Sequence, residues 1–146
     1  MITHDKISGI YKKGEMTLDF IIKAVRDNPQ ISSAGSIHTF TGIVRNNSVE
    51  GKPVVSMKID AYDDLANKSI EKICEELKKE PGIIDVMIVH LKGDFDISDD
   101  LVYVVVASAH RKEGFDTVSK AVDMYKKEIA VWKRENFKDG TSEWIH

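Results

Sequence analysis

Cysteine is almost missing from this chain. Cys74 is the one thiol in 146 residues, so no intrachain disulfide and no cysteine-based metal site can form. Such usage fits a reducing compartment. The opening Met-Ile-Thr-His-Asp-Lys lacks a charged-then-apolar leader, and no apolar run approaches the ~20 residues of a bilayer span. The expectation is a cytoplasmic protein with no membrane segment. A surplus of positive charge is missing too: 21 Lys and Arg stand against 24 Asp and Glu, for a formal net charge of -3. With a pI near 5.9 this argues against a general nucleic-acid binder, whose domain would carry a basic face. Gly35, Gly42 and Gly51 do not form a phosphate-cradling loop. The aspartates of the segment Gly93 to Asp100 lack the glycine-and-glutamate pattern of a calcium loop, and His4, His38, His90 and His146 share no metal-like spacing. No metal and no cofactor is assigned, and any anion site must be local.

What is present describes an ordinary globular domain, 42% apolar and 31% charged, long enough to bury a core, with residues 1–146 forming one unit. Lys6 to Tyr11 reads as a short strand. Thr17 caps a helix from Leu18 to about Arg26, with Leu18, Ile21, Ile22 and Val25 on one face before Asn28-Pro29 stops it. Gly35 to Val44 is rich in β-branched and aromatic residues and reads as a strand. A second follows with Val55, Met57, Ile59 and Ala61 alternating against polar neighbours, and the two are expected to pair as a hairpin. Ala66, Ile70, Ile73, Cys74 and Leu77 recur at helical spacing until Pro81-Gly82. Two strands, Ile83 to Leu91 and Asp100 to Ser108, flank an acidic connector expected to be a solvated loop. A third helix opens near Lys112 with Phe115, Val118, Val122, Tyr125 and Ile129 as its apolar stripe. Val131 to Asn136 and Glu143 to Ile145 then form a hairpin around Phe137-Lys138-Asp139-Gly140. This order gives an α+β class: a mostly antiparallel sheet with helices gathered on one side and a C-terminal β-hairpin.

Polar residues gather where three apolar elements end. The densest stretch, Tyr125 to Glu135, sets Lys126, Lys127, Lys133 and Arg134 around Ile129, Val131 and Trp132. A solvated helix tail running into an edge strand has the same composition; an anion site is the sharper reading. Lys126 and Lys133 lie seven apart. A continuous helix stacks them two turns apart on one face, whereas a bend at the β-branched Ile129 and Val131 turns them toward a shared pocket. A lysine crowded by cations and an apolar wall has reason to lose its proton, as a base or nucleophile must. Arg45 follows an apolar strand and suits bidentate phosphate binding, or else a surface ion pair. His110-Arg111 stands where a very apolar strand stops, as a functional pair or as a cap and a solvated arginine. His90 reads as a satisfied structural histidine and Cys74 as a small buried hydrophobe.

Together these pieces resemble the large, catalytic subunit of molybdopterin synthase. The resemblance is carried by Phe40-Thr41-Gly42-Ile43-Val44-Arg45, the region of Tyr62, Ser108-Ala109-His110-Arg111, and Tyr125-Lys126 followed by Val131-Trp132-Lys133-Arg134-Glu135. It spans about Ile7 to Trp144. It implies an α/β hammerhead fold, a homodimer, and one small ubiquitin-like sulfur carrier docked on each copy to form a heterotetramer. The carrier's C-terminal Gly-Gly, charged as a thiocarboxylate, gives its sulfur to cyclic pyranopterin monophosphate, and two transfers build the dithiolene. By the same resemblance Lys126 and Lys133 are the pocket lysines, acid/base or covalent participants. Arg45, His110 and Arg111 bind substrate, Phe40 is a pocket wall and Glu135 a neighbouring carboxylate. The chain departs from the family at Leu91, where an arginine usually follows the histidine, at Ser98 for a frequent glycine, at Val122 for a methionine and at Ala130 for a proline. Both lysines and Arg45 remain. A non-catalytic carrier-binding domain on this fold is the competing expectation. An RNA binder is weakened by the acidic balance and by the lack of aromatics among the basic residues.

Overall fold

Capping and apolar spacing account for the helices of the computed structural model, which describes residues 6–145. Two of the four histidines weighed as ligands, His4 and His146, and most of the opening segment lie outside them. Helix α1 spans Leu18–Arg26, its first turn capped by Thr17 Oγ1, which accepts from the Phe20 amide. Helix α2 spans Asp63–Lys78 and buries Ala66, Ile70, Ile73, Cys74 and Leu77, the predicted stripe. Burial pushes the Cys74 thiol up to about 11, and its Sγ–H donates to Ser8 Oγ. Cys74 is a structural residue.

Strands β1 (Gly9–Lys12), β2 (Ser36–Ile43), β3 (Val54–Ala61), β4 (Ile83–Asp96), β5 (Asp100–Ser108), β6 (Val131–Phe137) and β7 (Ser142–Ile145) make one seven-stranded sheet. Its order is β2-β5-β4-β3-β6-β7, with β1 parallel beside β4 as the exception to an otherwise antiparallel arrangement. Helix α3 (Arg111–Glu128) follows β5 and packs on β5, β2 and α2. Three helices on a mostly antiparallel open sheet, closed by the β6–β7 hairpin, agree with the expected class.

Four sequence expectations need correction. First, β2 and β3 do not form a hairpin. β2 pairs with β5 and β3 with β4 and β6, leaving one isolated bridge, Asn47 to Pro53, between them. Periodicity reports that a strand is half-buried and is silent about its partner. Within β3 the alternation also breaks, because a bulge between Val54 and Ser56 turns Val54 inward and leaves Val55 exposed.

Second, the acidic connector is mostly strand. Residues Gly93 to Asp96 pair with β3, with Phe95 buried while Asp94 and Asp96 do not join the core. The first part of β4 pairs with β5 and the last with β3, so one 14-residue strand joins the two halves of the sheet. Gly93, at φ +126, stands where the pairing changes over, a backbone state that side chains resist. The remaining turn holds Ser98 at φ 73, which explains why a glycine is usual there.

Third, α3 is rotated from its predicted stripe. It buries Gly114, Thr117, Ala121 and Tyr125, a small-residue face that lets the helix sit close to the sheet, while Phe115 is exposed. Finally, β1 begins at Gly9 rather than Lys6.

Candidate active site

The last turn of α3 and the start of β6 meet at a corner. The helix ends at Glu128, Ile129 is already extended at φ -81 and ψ 135, and the strand begins at Val131. The corner forms without the family's proline; two β-branched residues flanking Ala130 suffice. Lys126 and Lys133 therefore do not stack on one helix face, and of the two geometries open to the sequence the bend is the real one. The register sets Lys133 opposite Ile59 and Glu135 opposite Met57. Both apolar partners are buried, so a cation and a carboxylate rise from an apolar floor.

Charge is concentrated here and poorly compensated. Lys133 is half-buried, and desolvation first, then the charge of Lys126, lower its pKa, with Glu135 opposing. Glu135 is 7% exposed, and its carboxyl is raised by burial and by Glu143, against the pull of Arg45 and Lys133. Arg45, just past β2, thus reaches the same cluster as Glu135 and Lys133. Among the described residues no carboxylate forms a salt bridge with Arg45, Lys126 or Lys133, although five such pairs occur elsewhere. With no salt-bridge partner among the described residues, these three cations form a candidate anion site beside Glu135. Arg134 belongs to the other face of β6, its guanidinium 5.6 Å from the Trp144 ring centroid.

The remaining predicted residues lie elsewhere in the same chain. His110 occupies the N-cap of α3 in extended conformation but makes no capping bond with its side chain; its carbonyl accepts from Ser108 Oγ at 2.7 Å. Arg111 and Phe40 line a groove between β2 and α3 with Ile37, Phe115, Val118 and Val122. Fifteen residues of helix separate Arg111 from Lys126, about 22 Å at the rise of an α-helix. The chain therefore unites Arg45, Lys126, Lys133 and Glu135 and holds His110 and Arg111 apart from them, while Phe40 lines the groove that runs along α3 between the two. Among the described residues no group of three His, Cys, Asp or Glu is placed to hold a metal ion. Nor is any helix there long and apolar enough to cross a membrane.

Sequence reasoning missed how His90 sits. It is buried as expected, yet only its Nδ1 is satisfied, by the Leu91 carbonyl at 2.9 Å. Burial, then the charge of Lys133, hold its pKa down to about 4. The unfolded chain takes up this proton near 6.5 and the folded chain only near 4, so stability contributed by the neutral ring is lost as pH falls through that window. The loss amounts to about 3 kcal/mol. Melting temperatures taken between pH 7 and pH 4 should drop less steeply for His90→Phe than for the parent protein; equal slopes would remove His90 as the cause.

Fold and cluster define an α+β domain with a candidate anion site formed by one loop arginine and two lysines at a helix–strand corner. The chain belongs to the MoaE protein family, whose sequence profile matches residues 12–128. It is 36% identical to the molybdopterin synthase catalytic subunit 1 of Aedes aegypti, over 89% of this chain and 86% of that one. It is 34% identical to a probable molybdopterin synthase of Haloferax volcanii over 90% of its own length, spanning about half, 50%, of that relative. Its fold matches the crystal structure of molybdopterin synthase from Staphylococcus aureus at a TM-score of 0.80 and 28% identity, over 95% of this chain and 96% of that one. A likeness of fold alone, at 20% identity and a TM-score of 0.70, over 94% of this chain and 88% of that one, links it to a complex of subunits 1 and 2 of the molybdopterin-converting factor from Helicobacter pylori.

Proposed function

We propose that this chain is the catalytic, sulfur-transferring subunit of molybdopterin synthase. It moves sulfur from the C-terminal thiocarboxylate of a small ubiquitin-like carrier to cyclic pyranopterin monophosphate. The observation that carries this reading is the trio Arg45, Lys126 and Lys133, three cations with no salt-bridge partner among the described residues, with Lys133 opposite the buried Ile59. Both guests are anionic: the carrier tail is a thiocarboxylate and the pterin carries a phosphate. Once the sulfur has bonded to the pterin, water adds to the acyl carbon to give a tetrahedral oxyanion, which collapses with loss of the C–S bond and leaves the carrier as a carboxylate; fixed cations stabilise that charge. Lys133 has the lowered pKa and serves as the base; Lys126, more exposed, holds anionic substrate or the oxyanion; Arg45 grips phosphate. Glu135 tempers the cluster.

The 22 Å estimated between Arg111 and Lys126 supports a homodimer in which each pocket borrows His110 and Arg111 from the second copy. β2 is an edge strand, and the apolar groove it forms with α3 suits burial against that copy. The Helicobacter pylori assembly of two subunits supports a separate carrier. The single buried Cys74 supports a reducing, cytoplasmic setting.

The direct test is a single-turnover reaction of the purified protein with thiocarboxylated carrier and cyclic pyranopterin monophosphate. Dithiolene should form with the parent protein and not with Lys126→Ala, while the variant still binds carrier. No product from the parent protein, in a stable complex with carrier, would leave a binding module instead.

A further inference from the structure

Beneath the cation cluster lies a histidine with no task so far. His90 is 1% exposed on β4. Its Nδ1 stands at 2.9 Å from the Leu91 carbonyl. A carbonyl only accepts, so Nδ1 carries the proton and Nε2 the lone pair. That Nε2 is buried and has no hydrogen-bond partner among the described residues. Buried acceptors left open are rare in folded proteins and point to a role beyond packing.

Two observations connect this ring to the site. On one side it meets Tyr125 edge-on, with centroids 5.9 Å apart and planes at 80°, and Tyr125 directly precedes Lys126. Across the sheet, the register aligns Lys133 with Ile59 and Ile59 with Gly93. Lys133 is thus two strand spacings, roughly 10 Å, from the part of β4 that follows His90. The imidazole also feels the charge of Lys133 directly. The charged groups felt at Lys133 are Lys126 from α3 and Glu135 along β6, with the neutral His90 ring on β4 feeling Lys133 in turn.

We infer that His90 is a positioning residue for Lys133, its Nε2 accepting an N–H from Lys133 Nζ when the site holds its anionic substrate. This rests on the sulfur-transfer reading above. The four-carbon lysine stem lets the amine turn onto the ring. An acceptor for one N–H aims the lone pair of the neutral amine away from the histidine and toward the guest. The Leu91 carbonyl fixes the tautomer that makes this possible, so base, orienting group and backbone anchor form a chain. Because an acceptor favours the ammonium over the amine, His90 also holds the Lys133 pKa above the value an apolar residue would give.

The test uses the whole protein with labelled histidine and lysine, observed by nitrogen and carbon NMR. Adding cyclic pyranopterin monophosphate should shift the His90 Nε2 resonance of the parent protein toward its hydrogen-bonded range, with Nδ1 staying protonated. With the pterin bound, the Lys133 titration midpoint should fall in His90→Phe, which keeps a ring against Tyr125, and recover in His90→Gln, which restores an acceptor. In the transfer reaction His90→Phe should lose on the order of 10–100-fold in kcat with KM little changed, as expected for a misaligned group. An Nε2 resonance that ignores bound substrate overturns the inference, and so does an unchanged Lys133 midpoint. Normal transfer by His90→Phe overturns it while leaving the proposed function intact. Absence of transfer by the parent protein defeats the function itself, and the Lys133 midpoints taken with the pterin bound still report the contact.

Discussion

Lys133→Met and Lys133→Arg should both lose sulfur transfer, by on the order of 10²–10⁴-fold in single-turnover rate, the range that a positioned proton-transfer group supplies. Each change isolates a different property. Methionine keeps an unbranched stem over Ile59 and removes the charge. Arginine keeps the charge and cannot give up its proton. If Lys133 only held an anion, the arginine variant would work; its failure alongside methionine identifies a base. Wild-type turnover by Lys133→Arg would end that assignment.

The same residue fixes the pH dependence. Burial and the charge of Lys126 lower the Lys133 pKa, so the rising limb of the rate should lie below the ordinary lysine range. Lys126→Gln removes the second of these causes, and whatever activity remains should show that limb moved to higher pH. With pH, stability moves in the same direction as activity. In the window between the folded and unfolded Lys133 pKa values the unfolded chain binds more protons, so stability rises with pH there, and below the window the charged lysine is a constant burden. Lys133→Met removes that burden, so its melting temperature near neutral pH should hold or increase while activity is lost. A variant that is both inactive and much less stable would instead mark Lys133 as a structural residue.

How much of this was legible in the sequence depends on whether the deciding force is local. Helices α1 and α2 were readable because Thr17, the Pro81-Gly82 stop and the buried stripes act within one turn of the chain. The β6–β7 hairpin was readable because Phe137 to Gly140 is a turn in its own right, with Gly140 at φ +88. Partner choice was not: β2 finds β5 across three intervening elements, and the aspartates from 94 to 96 joined β4 because Phe95 between them is worth burying. In the site, the lysine pair was visible as one of two geometries, decided by Ile129 leaving the helix. The separation of Arg111 from Lys126 was available from helix length alone. The orientation of His90 was not, since its neighbours Tyr125 and Lys133 come from α3 and β6 and nothing near residue 90 announces them.

Gly114→Ala is the case where local and tertiary rules give opposite signs. Inside a helix, alanine is favoured over glycine by about 1 kcal/mol, so propensity alone expects a more stable protein. In the folded chain Gly114 lies on the buried face of α3, where an added Cβ would overlap the His38 ring and sit 2.6 Å from Ser108 Oγ. His38 cannot easily retreat: its Nε2 is held by Ser36 Oγ at 2.7 Å and its ring stands edge-on to Phe115 at 4.5 Å. Overpacking of this kind costs about 1–3 kcal/mol, more than the propensity gain over most of that range. Thermal melts should therefore show Gly114→Ala less stable, with a Tm lower by roughly 5 °C. Adding His38→Val makes room for the new methyl, so the double variant should be more stable than the sum of the two single losses predicts. Additive losses, or a Gly114→Ala protein that melts higher than its parent, would mean that α3 is free to lift from the sheet. A helix so loosely seated would not hold Lys126 in register with Lys133 at one end and Arg111 beside Phe40 at the other. The tight contact at Gly114 thus fixes the element from which both ends of the site are built.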